Sequence, residues 1–320
     1  MKRKAFLTSA AMSAGALTIR GNARADGDVD VALLTATGTI HGSLTTAAAG
    51  ATPLVLIIAG SGPTDRNGNS GLGIRPNTYA LLAEALRQRG IASVRYDKRG
   101  VAASSGALTS ESALRFDDYV DDAAAWLRLL RKDPRFSALI VAGHSEGSLI
   151  GMIAADRAPA DAFVSLEGAG RPAPVLLREQ LKPRLTPALY ARCDEIIARL
   201  EQGHLVPNVP QELAVLLRPS VQPYLIAWFK YDPAAEIARL RIPITIVQGT
   251  ADVQVGVEDA QALKRAAPSA KLVIVPGMNH VLKHAPDVSS QAAILRGYQD
   301  TSLPVEPQAV AALSSAFSAG

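Results

Sequence analysis

The stretch most able to do chemistry is Gly143-His144-Ser145-Glu146-Gly147, a serine with glycine two places away on either side. A serine hydroxyl is a weak nucleophile until a neighbouring base takes its proton. The spacing fits a serine raised on a sharp strand-to-helix turn, where side chains two residues to either side would crowd the backbone. An acyl-transfer site also needs a base, an acid to orient that base, and donors for the oxyanion. Of the five histidines, His41 lies in an early hairpin, His204 in a helical segment and His144 beside the serine; only His280 and His284 follow the last apolar run. His280 directly follows that run and its loop, so it is the expected base, and His284 is expected on the surface. Asp252 is the expected acid. Its blander role would be to cap the helix that follows. Glu167, which ends an earlier apolar run, is the rival carboxylate.

The elements that must position these residues are legible as apolar runs. Pro53–Ala59 and Ala138–Ala142 are short, continuous apolar runs, which suits strands buried on both faces, and Ile91–Tyr96, Asp161–Leu166, Ile244–Val247 and Lys271–Val275 read as further short strands. Helical patterns stand between them: one after Asn77, its expected cap, ending at Gly90; one over Phe116–Lys132; one following Ser145; and one from about Val257 to Ala267. Val31–Leu44 reads as an antiparallel edge hairpin turning at Thr37-Gly38. Strand–helix alternation predicts an α/β fold, a mostly parallel central sheet with helices on both faces. From about Arg171 to Asp232 the alternation breaks into proline-punctuated helices, so 171–232 is expected to be a helical cap inserted into a core of 26–170 and 233–320. Tyr224, Trp228 and Phe229 in that insertion are candidates for its pocket, although aromatic residues at this spacing are more often core. In such sheets ligands bind at the carboxyl ends of the strands, where Ser145, Gly60-Ser61, Asp252 and His280 all fall.

Residues 1–25 read as a secretory signal peptide. Lys2, Arg3 and Lys4 precede a mildly apolar run, and Ala23-Arg24-Ala25 is an A-x-A cleavage site. The run is too short and too rich in Ser, Thr and Gly to span a membrane. The start also has the form of a relaxed twin-arginine signal, with Lys4 in place of the second arginine. The segment holds five of the 33 basic residues and none of the 29 acidic ones, so the remainder carries 28 against 29, a net charge of −1. The basic character of the whole chain therefore gives no support to nucleic-acid or membrane-surface binding. Cys193 is the only cysteine, which excludes an intrachain disulfide. No His, Cys or carboxylate cluster has metal-ligand spacing, and Gly60-Ser61-Gly62 lacks the G-K-[ST] of a phosphate loop, so neither metal nor cofactor is expected.

Four motifs, GSGPTDR at 60–66, YDKRG at 96–100, GHSEG at 143–147, and GTAD with GMNH at 249–252 and 277–280, resemble those of α/β-hydrolases, in particular bacterial serine esterases. The resemblance covers residues 29–320. It implies a triad of Ser145, Asp252 and His280 in that chain order. It also implies an oxyanion hole made by the backbone N–H groups of Glu146 and Ser61. Many relatives have His-Gly where this chain has Ala59-Gly60. Glu146 is read as part of the nucleophile turn, and Asp97 with Arg99 as an ion pair or loop anchor. The expected activity is cleavage of a small carboxylic ester through an acyl-serine. An aminopeptidase or amidase, and an acyltransferase or thioesterase, are the alternatives on the same scaffold, with a non-catalytic binding module more remote.

Overall fold

The computed structural model describes residues 17–23, 27–47, 51–71 and 73–318. Nine strands form one sheet: β1 (Leu17–Ala23), β2 (Asp28–Thr35), β3 (Gly38–Thr45), β4 (Thr52–Ile58), β5 (Ala92–Tyr96), β6 (Phe136–His144), β7 (Ala162–Leu166), β8 (Ile244–Gly249) and β9 (Lys271–Val275). Their order is β1-β2-β3-β5-β4-β6-β7-β8-β9. The strands from β5 to β9 pair in parallel, whereas β1, β2 and β3 are antiparallel to their neighbours. The expected hairpin is β2–β3, closing at Thr35 and Gly38. Beyond it, β1 pairs with β2 through backbone drawn from the segment read as a signal peptide; residues 1–16 and 24–26 lie outside the described residues.

Why a central strand such as β4 is so apolar is visible in its packing. Leu54, Leu56 and Ile58 enter the core with Val120, Trp126 and Ile150, under α2 (Phe116–Leu130) and α3 (Glu146–Arg157). Val55 and Ile57 point the other way, toward Leu82 and Leu86 of α1 (Thr78–Arg87) and Val310 and Leu313 of a C-terminal helix (Pro307–Ser315). Successive side chains alternate between faces, and with both faces of β4 covered, both sets are apolar.

Asn77 does precede α1, but its side chain does not cap the helix. It sits at φ 53°, and Asn69 takes its side-chain oxygen at 2.7 Å and its backbone N–H at 3.0 Å. The cap chemistry is spent holding the loop 60–77 closed on itself.

Between β7 and β8 the chain forms α4 (Ala173–Leu181), α5 (Pro187–Glu201), α6 (Ala214–Leu217), α7 (Gln222–Trp228) and α8 (Pro233–Ile237). Cys193, Ile196, Ile197 and Leu200 are the buried stripe of α5. Tyr224 and Trp228 of α7 meet Phe116 at ring centroid distances of 6.1 Å, Tyr231 meets it at 5.3 Å, and Tyr224 meets Tyr119 at 5.7 Å. The aromatic side chains of the insertion thus anchor it to the N-terminal end of α2.

Candidate active site

The carboxyl ends of β4, β6, β7 and β8, with the loop after β9, deliver Gly60-Ser61, Ser145, Glu167, Asp252 and His280 to one edge of the sheet. Ser145 is the N-cap of α3 at φ 54°, ψ −122°, a conformation that a side chain-bearing residue adopts only under constraint. The two glycines explain how it is imposed. A Cβ on Gly143 would lie 2.1 Å from the Gly147 carbonyl oxygen, and one on Gly147 would lie 2.3 Å from that of Ile58. Strand, turn and helix can approach this closely only with bare backbone at both places.

Asp252 and His280 meet directly, with Asp252 Oδ2 2.6 Å from His280 Nδ1. The other carboxylate oxygen accepts the backbone N–H groups of Gln254 at 2.7 Å and Val255 at 3.1 Å, so the acid is fixed before it touches the base. Burial pushes Asp252 up, but His280 and these hydrogen bonds outweigh it and hold the carboxyl at about 2. It is therefore ionised at neutral pH. With Nδ1 engaged, Nε2 is the ring nitrogen without a hydrogen-bond partner among the described residues. Ser145 is half-buried and its hydroxyl has no protein hydrogen-bond partner among the described residues. Catalytic hydrogen bonds of this kind commonly tighten only with substrate in place.

His144 links the serine and histidine loops. Its Nε2 lies 2.7 Å from the His280 carbonyl oxygen, which can only accept, so Nε2 carries the hydrogen. Nδ1 must then accept from the Tyr79 hydroxyl, 2.8 Å away, and that hydroxyl accepts the Gly60 N–H at 3.0 Å. Burial above all, then the neighbouring His280, lowers His144 to about 3, so this tautomer is neutral throughout the neutral range. A continuous hydrogen-bonded chain joins the Gly60 loop to the backbone of His280. Gly60 itself packs against the nucleophile: a Cβ there would meet Ser145 Cβ at 3.1 Å. The backbone N–H groups of Ser61 and Glu146 donate to no protein acceptor among the described residues.

Glu167 touches neither His280 nor Ser145 through a hydrogen bond. It is fully buried behind Asp252, accepting from Gly249 N–H at 2.8 Å and from the Gln248 side-chain amide, at φ 49°. Burial, then the adjacent Asp252 charge, raises it well above the usual carboxylate range. Glu167 thus holds its proton more tightly than the ionised acid beside it. His284 is exposed, with its ring 3.5 Å from Glu306. The expected Asp97–Arg99 pair does not form. Arg66 of the GSGPTDR motif grips Asp97 at 2.7 and 3.0 Å, and Arg99 pairs with Asp122 at 2.6 Å. Each buried carboxylate is satisfied by the fork of a different arginine. Tyr79, Gln248 and Lys98 are not singled out by sequence, and His144 is weighed there only as a base and set aside; Lys98 carries a signal, a charge at the end of a predicted strand. No group of three or more His, Cys, Asp or Glu with metal-binding proximity occurs among the described residues.

The chain is similar to several known proteins. A family described as serine aminopeptidase, S33 matches residues 69–211, which include Ser145 but stop before Asp252 and His280. Esterase EstD of Thermotoga maritima is 28% identical over 236 residues, 72% of this chain. The chain spans 54% of that protein's length. Among solved structures, Est1E from Butyrivibrio proteoclasticus superposes with a TM-score of 0.55 at 18% identity, covering 83% of this chain and 96% of its own. The alpha/beta hydrolase GrgF from Penicillium sp. sh18 gives 0.54 at 20% identity, covering 85% and 99%. The fold is that of an α/β-hydrolase.

Proposed function

We propose that the chain is a serine hydrolase acting on carboxylic esters. The observation that carries this reading is the bond of Asp252 to His280 Nδ1 at the sheet edge where the strained turn holds Ser145. Ser145 Oγ attacks the ester carbonyl carbon as its proton passes to His280 Nε2, and the carbonyl π electrons move onto oxygen. The amides of Ser61 and Glu146 receive that oxyanion. Collapse expels the alcohol oxygen, which takes the proton from His280. Water then repeats the sequence on the acyl-serine, releasing the acid and restoring Ser145.

The aminopeptidase reading shares this machinery and has the matched family's description in its favour. It also needs a carboxylate to hold the substrate's α-ammonium. The carboxylates at this edge are engaged already: Asp65 by the Asn67 and Asn69 N–H groups, Asp97 by Arg66, Glu146 by Lys98, Asp252 by His280, and Glu167 by Gly249 and Gln248. That favours a neutral ester. Similarity to Esterase EstD points the same way. The test is a panel of p-nitrophenyl esters of graded acyl length beside amino-acid anilides. Turnover of short esters well above the anilides is expected; the opposite ranking would make the chain an aminopeptidase.

Export belongs to the same proposal, on the basic start and the Ala23-Arg24-Ala25 site. No helix among the described residues is long and apolar enough to cross a membrane.

A further inference from the structure

Lys98 has no part in the triad, yet it is buried against the nucleophile turn, its side chain 1% exposed. A lysine is rarely buried so completely without specific partners. Here it has three. Its ammonium donates to the Gly60 carbonyl oxygen at 2.6 Å, lies 3.4 Å from Glu146 Oε2, and sits 4.8 Å above the centre of the Tyr119 ring. The Glu146 side chain is equally buried, and its other oxygen, Oε1, has no hydrogen-bond partner among the described residues.

The Gly60 carbonyl and the Ser61 N–H belong to one peptide group. In a trans peptide the two point in opposite directions, and this chain has no cis bonds among the described residues. Whatever holds the Gly60 oxygen therefore aims the Ser61 N–H. A cation on that oxygen also withdraws electron density through the peptide, which makes the N–H a stronger donor. The same ammonium faces the side chain of Glu146, whose backbone supplies the other oxyanion donor. We infer that Lys98 is the positioning residue of the oxyanion hole: it locks the Gly60–Ser61 peptide with its N–H toward the reacting carbonyl and ties that peptide to Glu146. Tyr79 holds the other side of the loop through Gly60 N–H, so the peptide before and the peptide after Gly60 are both pinned.

This inference rests on the esterase reading. Removing an oxyanion donor outright costs about 10²–10³ in turnover, and loosening one costs less. Lys98→Met keeps an unbranched chain of similar reach and removes the ammonium. With the preferred p-nitrophenyl ester, kcat is expected to fall roughly 10- to 100-fold while KM moves less than about threefold, because the lost orientation matters to the tetrahedral state and not to the bound ester. A trifluoromethyl ketone mimics that state when Ser145 Oγ adds to its carbonyl carbon, the serine proton passing to His280 and the ketone oxygen becoming a hemiketal oxyanion in the hole; it should lose affinity by about the same factor as kcat. Lys98→Met also strands Glu146 without its cation, so the double variant Lys98→Met/Glu146→Gln separates the two effects. A purely structural ion pair predicts that the double variant regains wild-type kcat, since no buried charge is left unpaired. The positioning role predicts that it stays slow, with circular dichroism and melting temperature near wild type. Recovery in the double variant, a kcat within twofold of wild type in Lys98→Met, or failure of both variants to fold would each overturn the inference. A wild-type protein inert to every ester would instead overturn the esterase reading, and this inference with it.

Discussion

At the scale of single residues, the account separates two carboxylates that lie side by side. Asp252 contacts the base, and Glu167 contacts Asp252 and the groups around it. Asp252→Asn should cost roughly three to four orders of magnitude in kcat, because an amide can present His280 in the wrong tautomer. Glu167→Gln, which keeps the shape and still offers a donor toward Asp252, should retain at least about a tenth of wild-type activity. Measuring both purified variants on one short ester decides it, and the reverse ranking would move the triad acid to Glu167. The stability of Glu167→Gln carries a pH signature. Glu167 is raised above its reference value of 4.5, so the folded chain retains a proton that the unfolded chain releases. Where the unfolded state binds fewer protons, stability falls as pH rises, from the reference value up through the raised folded value. The glutamine variant lacks that loss. Its melting temperature relative to wild type should rise as pH increases above about 4.5. A flat or falling difference would show that Glu167 is not raised in the folded chain.

At the scale of elements, the β6–turn–α3 unit is the part most readable in sequence, because its constraint is local. Glycines at 143 and 147 answer a steric demand that the motif spacing already implies, and the apolar run before Ser145 can only be a strand buried on both faces. Gly147→Ala should abolish both activity and folding yield, since its Cβ would fall 2.3 Å from backbone that cannot retreat. A soluble Gly147→Ala variant with wild-type kcat would mean that the turn is built otherwise. Pairings between distant elements were not readable. Asp97 two residues before Arg99 suggests an ion pair, but tertiary packing presents Asp97 to Arg66 and Arg99 to Asp122. Asn77 has the residue type of a cap and the position of one, yet Asn69 claims its side chain. Nor does spacing reveal that Lys98, His144 and Tyr79 become the buried polar framework of the loops. Each gains its role from a partner between 38 and 136 residues away.

At the scale of the whole molecule, the sheet gathers a serine, a histidine and an acid from loops far apart in the chain, and the helical insertion is fastened beside them through Phe116 and Tyr119. The alternation of strands and helices made this architecture legible. Substrate choice was not, because it depends on how the insertion sits over the edge. The edge strand β1 is a second case: it is drawn from the segment whose composition suits a cleaved export signal. Cleavage after Ala25 would remove β1 and leave β2 as the sheet edge. N-terminal sequencing of the exported protein should therefore begin at Asp26, and the shortened chain should keep full activity, because β1 lies at the far edge from β6. An active protein that retains Met1 would contradict the export assignment.

The central claim is that Ser145 is the nucleophile. A fluorophosphonate reacts covalently with a serine only where a base activates it and an oxyanion hole receives the phosphoryl oxygen. Labelling the purified protein and mapping the adduct by peptide mass spectrometry should place a single phosphonate on Ser145. The label should vanish in Ser145→Ala, together with about four to six orders of magnitude of ester turnover. A folded Ser145→Ala protein that still takes the label, or an adduct mapped to any other residue, would contradict the account.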